Sequence, residues 1–204
     1  MSFYRKNYLC VCEGQQEEMY LKRIALLLKR FPESVVTFNT LIDNPYRLNK
    51  AYEEYDHAAL FDFDFNEVEF RNNIGICDKL DKKNRPTKRV YHAYSNVNFD
   101  LWLILHKECF NKSVSVNHAY VADVRRIYGL NKTDNIKKES VVKKILNQIT
   151  IDDVKKAIER AKIIRGRKIA DDKKQIGTTT YYSDPDFSID VFLERVLVEC
   201  GEIK

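Results

Sequence analysis

Residues 57–67 read His57-Ala58-Ala59-Leu60-Phe61-Asp62-Phe63-Asp64-Phe65-Asn66-Glu67. The segment opens as an apolar run, the pattern of a strand buried on both faces, and closes on carboxylates. A strand over His57–Phe63 is therefore expected near the middle of a sheet, with Asp62 and Asp64 at its carboxyl end. Working outward, Tyr8–Cys12 (YLCVC) is a second short strand that stops at Glu13-Gly14. Ser34–Leu41 (SVVTFNTL) and Arg89–Tyr94 carry two more strand signals. Helical patterns lie between them. Tyr20, Ile24, Leu27, Leu28 and Phe31 share one face of a helix over Gln15–Phe31. Pro45 sits where a helix over Tyr46–Tyr55 could begin. Glu67–Leu80 reads as a further helix before a turn at Asn84–Pro86, and Phe99–His106 as a short apolar one.

Strands alternating with helices predict an α/β fold, a mainly parallel four-stranded sheet flanked by helices. Beyond about residue 110 the strand signal fades. A helix is expected within Asn117–Tyr128 and another from Ser188 to Glu199. Thr150 and Asp153 have capping-box spacing ahead of Val154, Ile158, Ala161 and Ile164, which share a helix face. The expected organisation is an α/β core over 1–110 and a helical C-terminal extension over 111–204, packed on it as one structural unit.

Composition excludes several classes. The chain has 204 residues, 44% hydrophobic and 32% charged, with 12 Tyr and 11 Phe against 6 Gly and 4 Pro. That describes a folded domain, not a disordered or linker-rich chain. No apolar run approaches the roughly 18 residues of a membrane span. The N-terminus (MSFYRKNYLCVCEG) has a basic start, but its apolar part is short, so no signal peptide is expected. Cys10, Cys12, Cys77, Cys109 and Cys200 form no CxxC pair and have no zinc spacing, which fits reduced thiols and a cytoplasmic location.

The net charge is +5, and its clustering matters more than its sum. Lys79, Lys82, Lys83, Arg85, Lys88 and Arg89 form one basic cluster. Lys155 to Lys174 holds another, with Arg165, Arg167 and Lys168 at its centre. Each is either a solvated face or a contact for nucleic acid (DNA or RNA), and two of them beside an acidic site favour a polyanionic substrate.

The acids carry the chemistry. Strand alternation would place Asp62 and Asp64 on one face, about 7 Å apart along the chain. Glu13 ends a neighbouring strand, and in parallel sheets ligands bind outside the carboxyl ends of strands. Three adjacent carboxylates repel one another, and a hard cation such as Mg²⁺, with Mn²⁺ as substitute, resolves that repulsion. Gly14 would allow a sharp turn and close approach to a phosphate. Glu67 is either a first-turn helix glutamate or an additional metal-site carboxylate.

A Glu ending the first strand and an Asp-x-Asp ending the third is the pattern of Toprim domains, which this chain resembles. The resemblance narrows to the RloB-like family. VCEGQQEEMYLKRI resembles that family's opening, with Gln16-Glu17 or Glu17-Glu18 where the family has Thr-Glu, so Glu17 is carried over. SNVNFDLWLILH resembles its second signature through Ser95, Asn96, Phe99, Trp102 and His106, with Val97 in place of Pro and Asp100 in place of Glu. IERAK and DPDFSIDVFLERV resemble its C-terminal helices.

The resemblance implies a Mg²⁺-dependent phosphodiesterase of a bacterial anti-phage system. Asp62 and Asp64 would bind metal, and Glu13 would complete its shell or move protons. His106, with Asn96 and Asp100, would either approach the site or be a buried structural histidine. The resemblance alone implies an ABC- or AAA-type ATPase partner; the chain has no Walker A motif of its own, so any ATP use would come from elsewhere. Two other readings use the same residues: a non-catalytic nucleic-acid or nucleotide sensor in a defence complex, and a nucleotidyl- or phosphotransferase.

Overall fold

In the computed structural model, residues 4–29, 34–50, 55–84 and 88–203 are described. The first half alternates as expected: β1 (Tyr4–Cys12), α1 (Gln15–Leu28), β2 (Ser34–Ile42), β3 (Asp56–Asp62), α2 (Glu67–Asn84), β4 (Val90–Asn96) and α3 (Phe99–Leu105). The helix expected over Tyr46–Tyr55 is, where described, a 3-10 segment at Pro45–Lys50; residues 51–54 lie outside the described residues. So do Phe31, Arg85 and Pro86.

β1, β2, β3 and β4 are parallel, and the order β2-β1-β3-β4 is extended by a short antiparallel strand, β7 (Asp186–Phe187), on β4. The sheet thus has five strands, not four. Two residues carry no periodicity, so β7 could not be read from pattern. Side chains alternate between faces. Cys10, Cys12, Ala58 and Leu60 join the core formed with α1 and α3, while Val11, Ala59 and Phe61 face α2. Burial on both faces explains the apolar strands that decided the fold.

The second half contributes α4 (Val121–Ile127), α5 (Glu139–Asn147), α6 (Ile151–Gly166) and α7 (Ile189–Glu199). Residues of all four enter the same core as Tyr8, Leu60 and Trp102, so segments 1–110 and 111–204 share one interior. The capping box at α6 is formed, with Thr150 accepting from the Asp153 N–H and Asp153 accepting in return. Between α6 and α7 the helical extension is interrupted by a hairpin, β5 (Lys173–Ile176) and β6 (Thr179–Tyr182). Its turn is held by Asp78 on α2, which accepts from Thr178 N at 3.1 Å and Thr179 Oγ1 at 2.7 Å. Gly177 is required there, because its φ is +55° and a Cβ would lie 2.8 Å from Asp78 Oδ2. No helix among the described residues is long and apolar enough to cross a membrane.

The strand order places the site. From β1 the chain moves outward to β2, then returns across β1 to β3 and onward to β4. The direction reverses between β1 and β3, and the crevice at their carboxyl ends is the topological switch point where open α/β sheets bind ligands.

Candidate active site

Glu13 leaves β1 at that crevice. Its N–H donates to Leu60 O at 3.0 Å, and its Oε2 accepts from Asp62 N at 2.8 Å. Asp62 is the last residue of β3, and its Oδ2 accepts from Phe99 N, the first residue of α3, at 3.1 Å. One oxygen of each carboxylate is thus fixed by backbone, leaving Glu13 Oε1 and Asp62 Oδ1.

Asp64 is brought alongside differently from the sequence expectation. β3 ends at Asp62, so alternation does not set the spacing. Asp64 and Phe65 instead have φ of +43° and +56°, a left-handed turn that Asp tolerates and a bulky Phe does not favour. Asp64 N donates to Val97 O at 3.0 Å, which anchors the turn to the segment after β4. Two consecutive strained residues beside the acids are a cost that the surrounding contacts must over-determine.

Glu17 belongs to the cluster. It lies one turn into α1, 5% exposed. Gly14 explains how it fits. The backbone there is extended (φ −142°), so the glycine is not needed for a sharp turn; a Cβ would instead sit 3.0 Å from Glu17 Oε2. Asp100 is also drawn in, 1% exposed and facing the Lys137 ammonium, which stands 3.2 Å from its Oδ1. Lys137 precedes α5 and donates to Gln16 Oε1 at 2.7 Å.

The electrostatics follow from this crowding. Burial pushes the Asp62 carboxyl well above its ordinary value, and Glu17 and Glu13 push it further. Burial raises Glu13 as well, opposed by its bond to the Asp62 N–H and reinforced by Asp64 and Glu69. Glu17 and Asp64 are raised by burial too, with Lys137 pulling both down. For Lys137, burial disfavours the charge, but Asp100, Asp62 and Glu17 outweigh it and hold the ammonium above the usual lysine value.

Two cavities meet at these groups. One of about 300 Å³ is lined by Glu13, Gly14, Glu17 and neighbouring α1 residues. The other, about 440 Å³, is bounded by Asn98, Asp100, Asn117, His118, Arg125 and Asn135. Asp62, Asp64 and Lys137 line both. The hard oxygens suit Mg²⁺ by donor type. As placed, no group of three or more His, Cys, Asp or Glu side chains among the described residues forms a metal cage.

Other expected site residues lie elsewhere. His106 is fully buried, its Nδ1–H donating to Trp102 O at 2.8 Å and its Nε2 accepting from Tyr20 OH at 2.9 Å. It lines neither cavity, which corrects its catalytic assignment. Nδ1 is spent on α3's own backbone, and Nε2 joins the end of α3 to α1. Asn96 donates to Tyr182 O and Glu67 accepts from Tyr181 OH while facing Arg71, all outside the cavity walls.

The basic clusters are not beside the acids in the way expected. Asp81, near the end of α2, bonds Val90 N at the start of β4, so Lys79, Lys82, Lys83, Lys88 and Arg89 occupy the opposite end of the sheet from Asp62. Arg165 is committed to buried Asp186 and to Tyr94 OH, and Lys168 Nζ bonds Ser183 O. Arg167 is exposed.

The sequence reading missed Lys137. A lysine in a loop has no periodicity, and only the fold brings it to acids as much as 124 residues earlier. The model of a family described as RloB-like protein matches residues 8–183 of the chain. No curated protein and no solved structure matches it.

Proposed function

The chain belongs to the RloB-like family, and from that premise we propose that it is a Mg²⁺-dependent phosphodiesterase of Toprim type, a nuclease acting on DNA or RNA. The observation that carries this reading is the meeting of Glu13, Glu17, Asp62, Asp64 and Asp100 around one lysine at the β1/β3 switch point. Such a concentration of carboxylates, with Glu13, Glu17, Asp62 and Asp64 each raised by burial, is costly in a purely structural role and typical of functional sites.

Glu13, Asp62 and Asp64 would hold the metal, through oxygens that the backbone leaves uncommitted. The bound ion supplies Lewis-acid stabilisation of the phosphate and an activated water. The chain's own groups do the rest. α1 presents its amino end to the smaller cavity with no side-chain cap, so its first N–H groups and dipole favour a phosphate there. Glu13, its carboxyl raised above the ordinary value by burial, would move the proton. The larger cavity, walled by Asn117, His118 and Asn135, would take the nucleotide flanking the scissile bond. A defence role and an ATPase partner of the ABC or AAA type complete the proposal by family resemblance.

Cleavage of labelled single- and double-stranded DNA and RNA in Mg²⁺ or Mn²⁺ tests it. Asp62→Asn keeps an acceptor for Phe99 N but removes the charge. It is expected to lose on the order of 10²-fold or more in rate. Equal metal-dependent cleavage by wild type and Asp62→Asn from identical purifications refutes the reading.

A further inference from the structure

Among the described residues, Lys137 is the lysine that lines both cavities. Its ammonium sits where the two cavities meet, between Asp100 and Gln16. Both partners are buried, at 1% and 4% exposure. The ammonium is the charged partner of Asp100 Oδ1, which no hydrogen bond satisfies otherwise. A buried carboxylate whose counter-charge is removed is strongly destabilising, so the metal-free protein needs a cation at this point.

We infer that Lys137, paired with Asp100 beside Asp62 and Asp64, is the built-in counter-ion of the cluster, and that a divalent cation held by Glu13, Asp62 and Asp64 competes with its ammonium as the neutralising charge. This rests on the metal-site reading given above.

The surroundings let the side chain leave while the loop stays. The Lys137 side chain is 52% exposed, so its stem can swing into the open cleft without unpacking. The backbone on either side is held without help from the ammonium. Arg125 donates through Nε and Nη2 to Asp134 O, Asn131 N bonds Asp134 Oδ2, and Lys137 N bonds Asn135 Oδ1. Ile136, 3% exposed, anchors the same turn in the core. Once displaced, the ammonium remains tethered at the junction of the two cavities, within reach of a substrate phosphate. The metal-free protein thereby avoids an uncompensated acidic cluster, and metal affinity is held below what the carboxylates alone would give.

The test is a Mn²⁺ titration of the full chain, followed by electron paramagnetic resonance of the free ion at fixed ionic strength. Removing one positive charge from among several carboxylates is expected to tighten Mn²⁺ binding at least about tenfold in Lys137→Met and Lys137→Gln. Lys137→Arg, which keeps the charge, should stay within about threefold of wild type on the same grounds. The metal-free Met variant should also melt below wild type and gain more melting temperature from Mn²⁺. In wild type, which needs no variant to fold, adding Mg²⁺ should move the Lys137 ¹⁵Nζ resonance. Unchanged or weaker Mn²⁺ binding in the uncharged variants, or an unmoved resonance in a wild type that binds Mn²⁺, overturns the inference alone. Absence of Mn²⁺ binding in wild type and every variant removes the metal reading and this inference with it.

Discussion

At the scale of single residues, His106 illustrates how neighbours fix a charge state. Burial lowers its pKa to about 4, a shift partly offset by its bond to Trp102 O. Because the carbonyl can only accept, Nδ1 carries the proton and Nε2 takes the Tyr20 hydroxyl, so the neutral ring satisfies both contacts. Above pH 6.5 the ring is neutral in folded and unfolded chains alike. Below that, the unfolded chain binds a proton that the native state refuses, so stability falls as the pH drops toward 4. At pH 5 the loss is about 2 kcal/mol. Urea unfolding at pH 7 and pH 5 should show His106→Asn less acid-sensitive than wild type by that amount; equal sensitivity would contradict a buried neutral histidine. The signature containing His106 was legible in the sequence, but its role was not, because an apolar helix ending in histidine looks the same whether the ring faces a cleft or a tyrosine. Glu13 and Asp62 were legible, since each follows a strand that both faces bury. Asp64 was placed correctly for the wrong reason: a left-handed turn, not alternation, brings it in.

Among the elements, α6 is the clearest case of a local code. Thr150 and Asp153 satisfy each other's N–H groups, and Asp153 also receives Lys107 Nζ at 2.8 Å. Thr150→Ala should cost about 1 kcal/mol by loss of one cap bond. Asp153→Ala should cost more, about 1–2 kcal/mol, because the largely buried Lys107 pair goes with it. Thermal melts of the two variants check the order, and a smaller loss for Asp153→Ala would show that the box contributes little. This helix could be read from sequence because cap and apolar face agree. α5 could have been read too: Val141, Val142, Ile145 and Leu146 are buried on one face, a spacing present in the sequence and overlooked. The hairpin β5–β6 was hidden for a physical reason. β5 is almost wholly exposed and rich in lysine, and its register comes from Asp78 on a distant helix.

The molecule as a whole separates charge by topology. α2 runs back from the acidic end of β3 over 18 residues, about 27 Å, and carries Lys79, Lys82 and Lys83 to the far edge of the sheet. A linear sequence shows those lysines close to Asp62 and Asp64; the fold sets them a helix length away. Arg165 is likewise spent inside the molecule, bridging α6 to β4 and β7 through Tyr94 and Asp186. At the acidic end, Lys137 stands amid Glu13, Glu17, Asp62, Asp64 and Asp100, at the crevice where the strand order reverses. Anomalous scattering from Mn²⁺-soaked crystals tests the central claim most directly. A peak about 2.2 Å from oxygens of Asp62 and of Glu13 or Asp64, lost in Asp62→Asn, is the predicted result. A wild-type crystal with no peak at these carboxylates, or the same peak in Asp62→Asn, would contradict it.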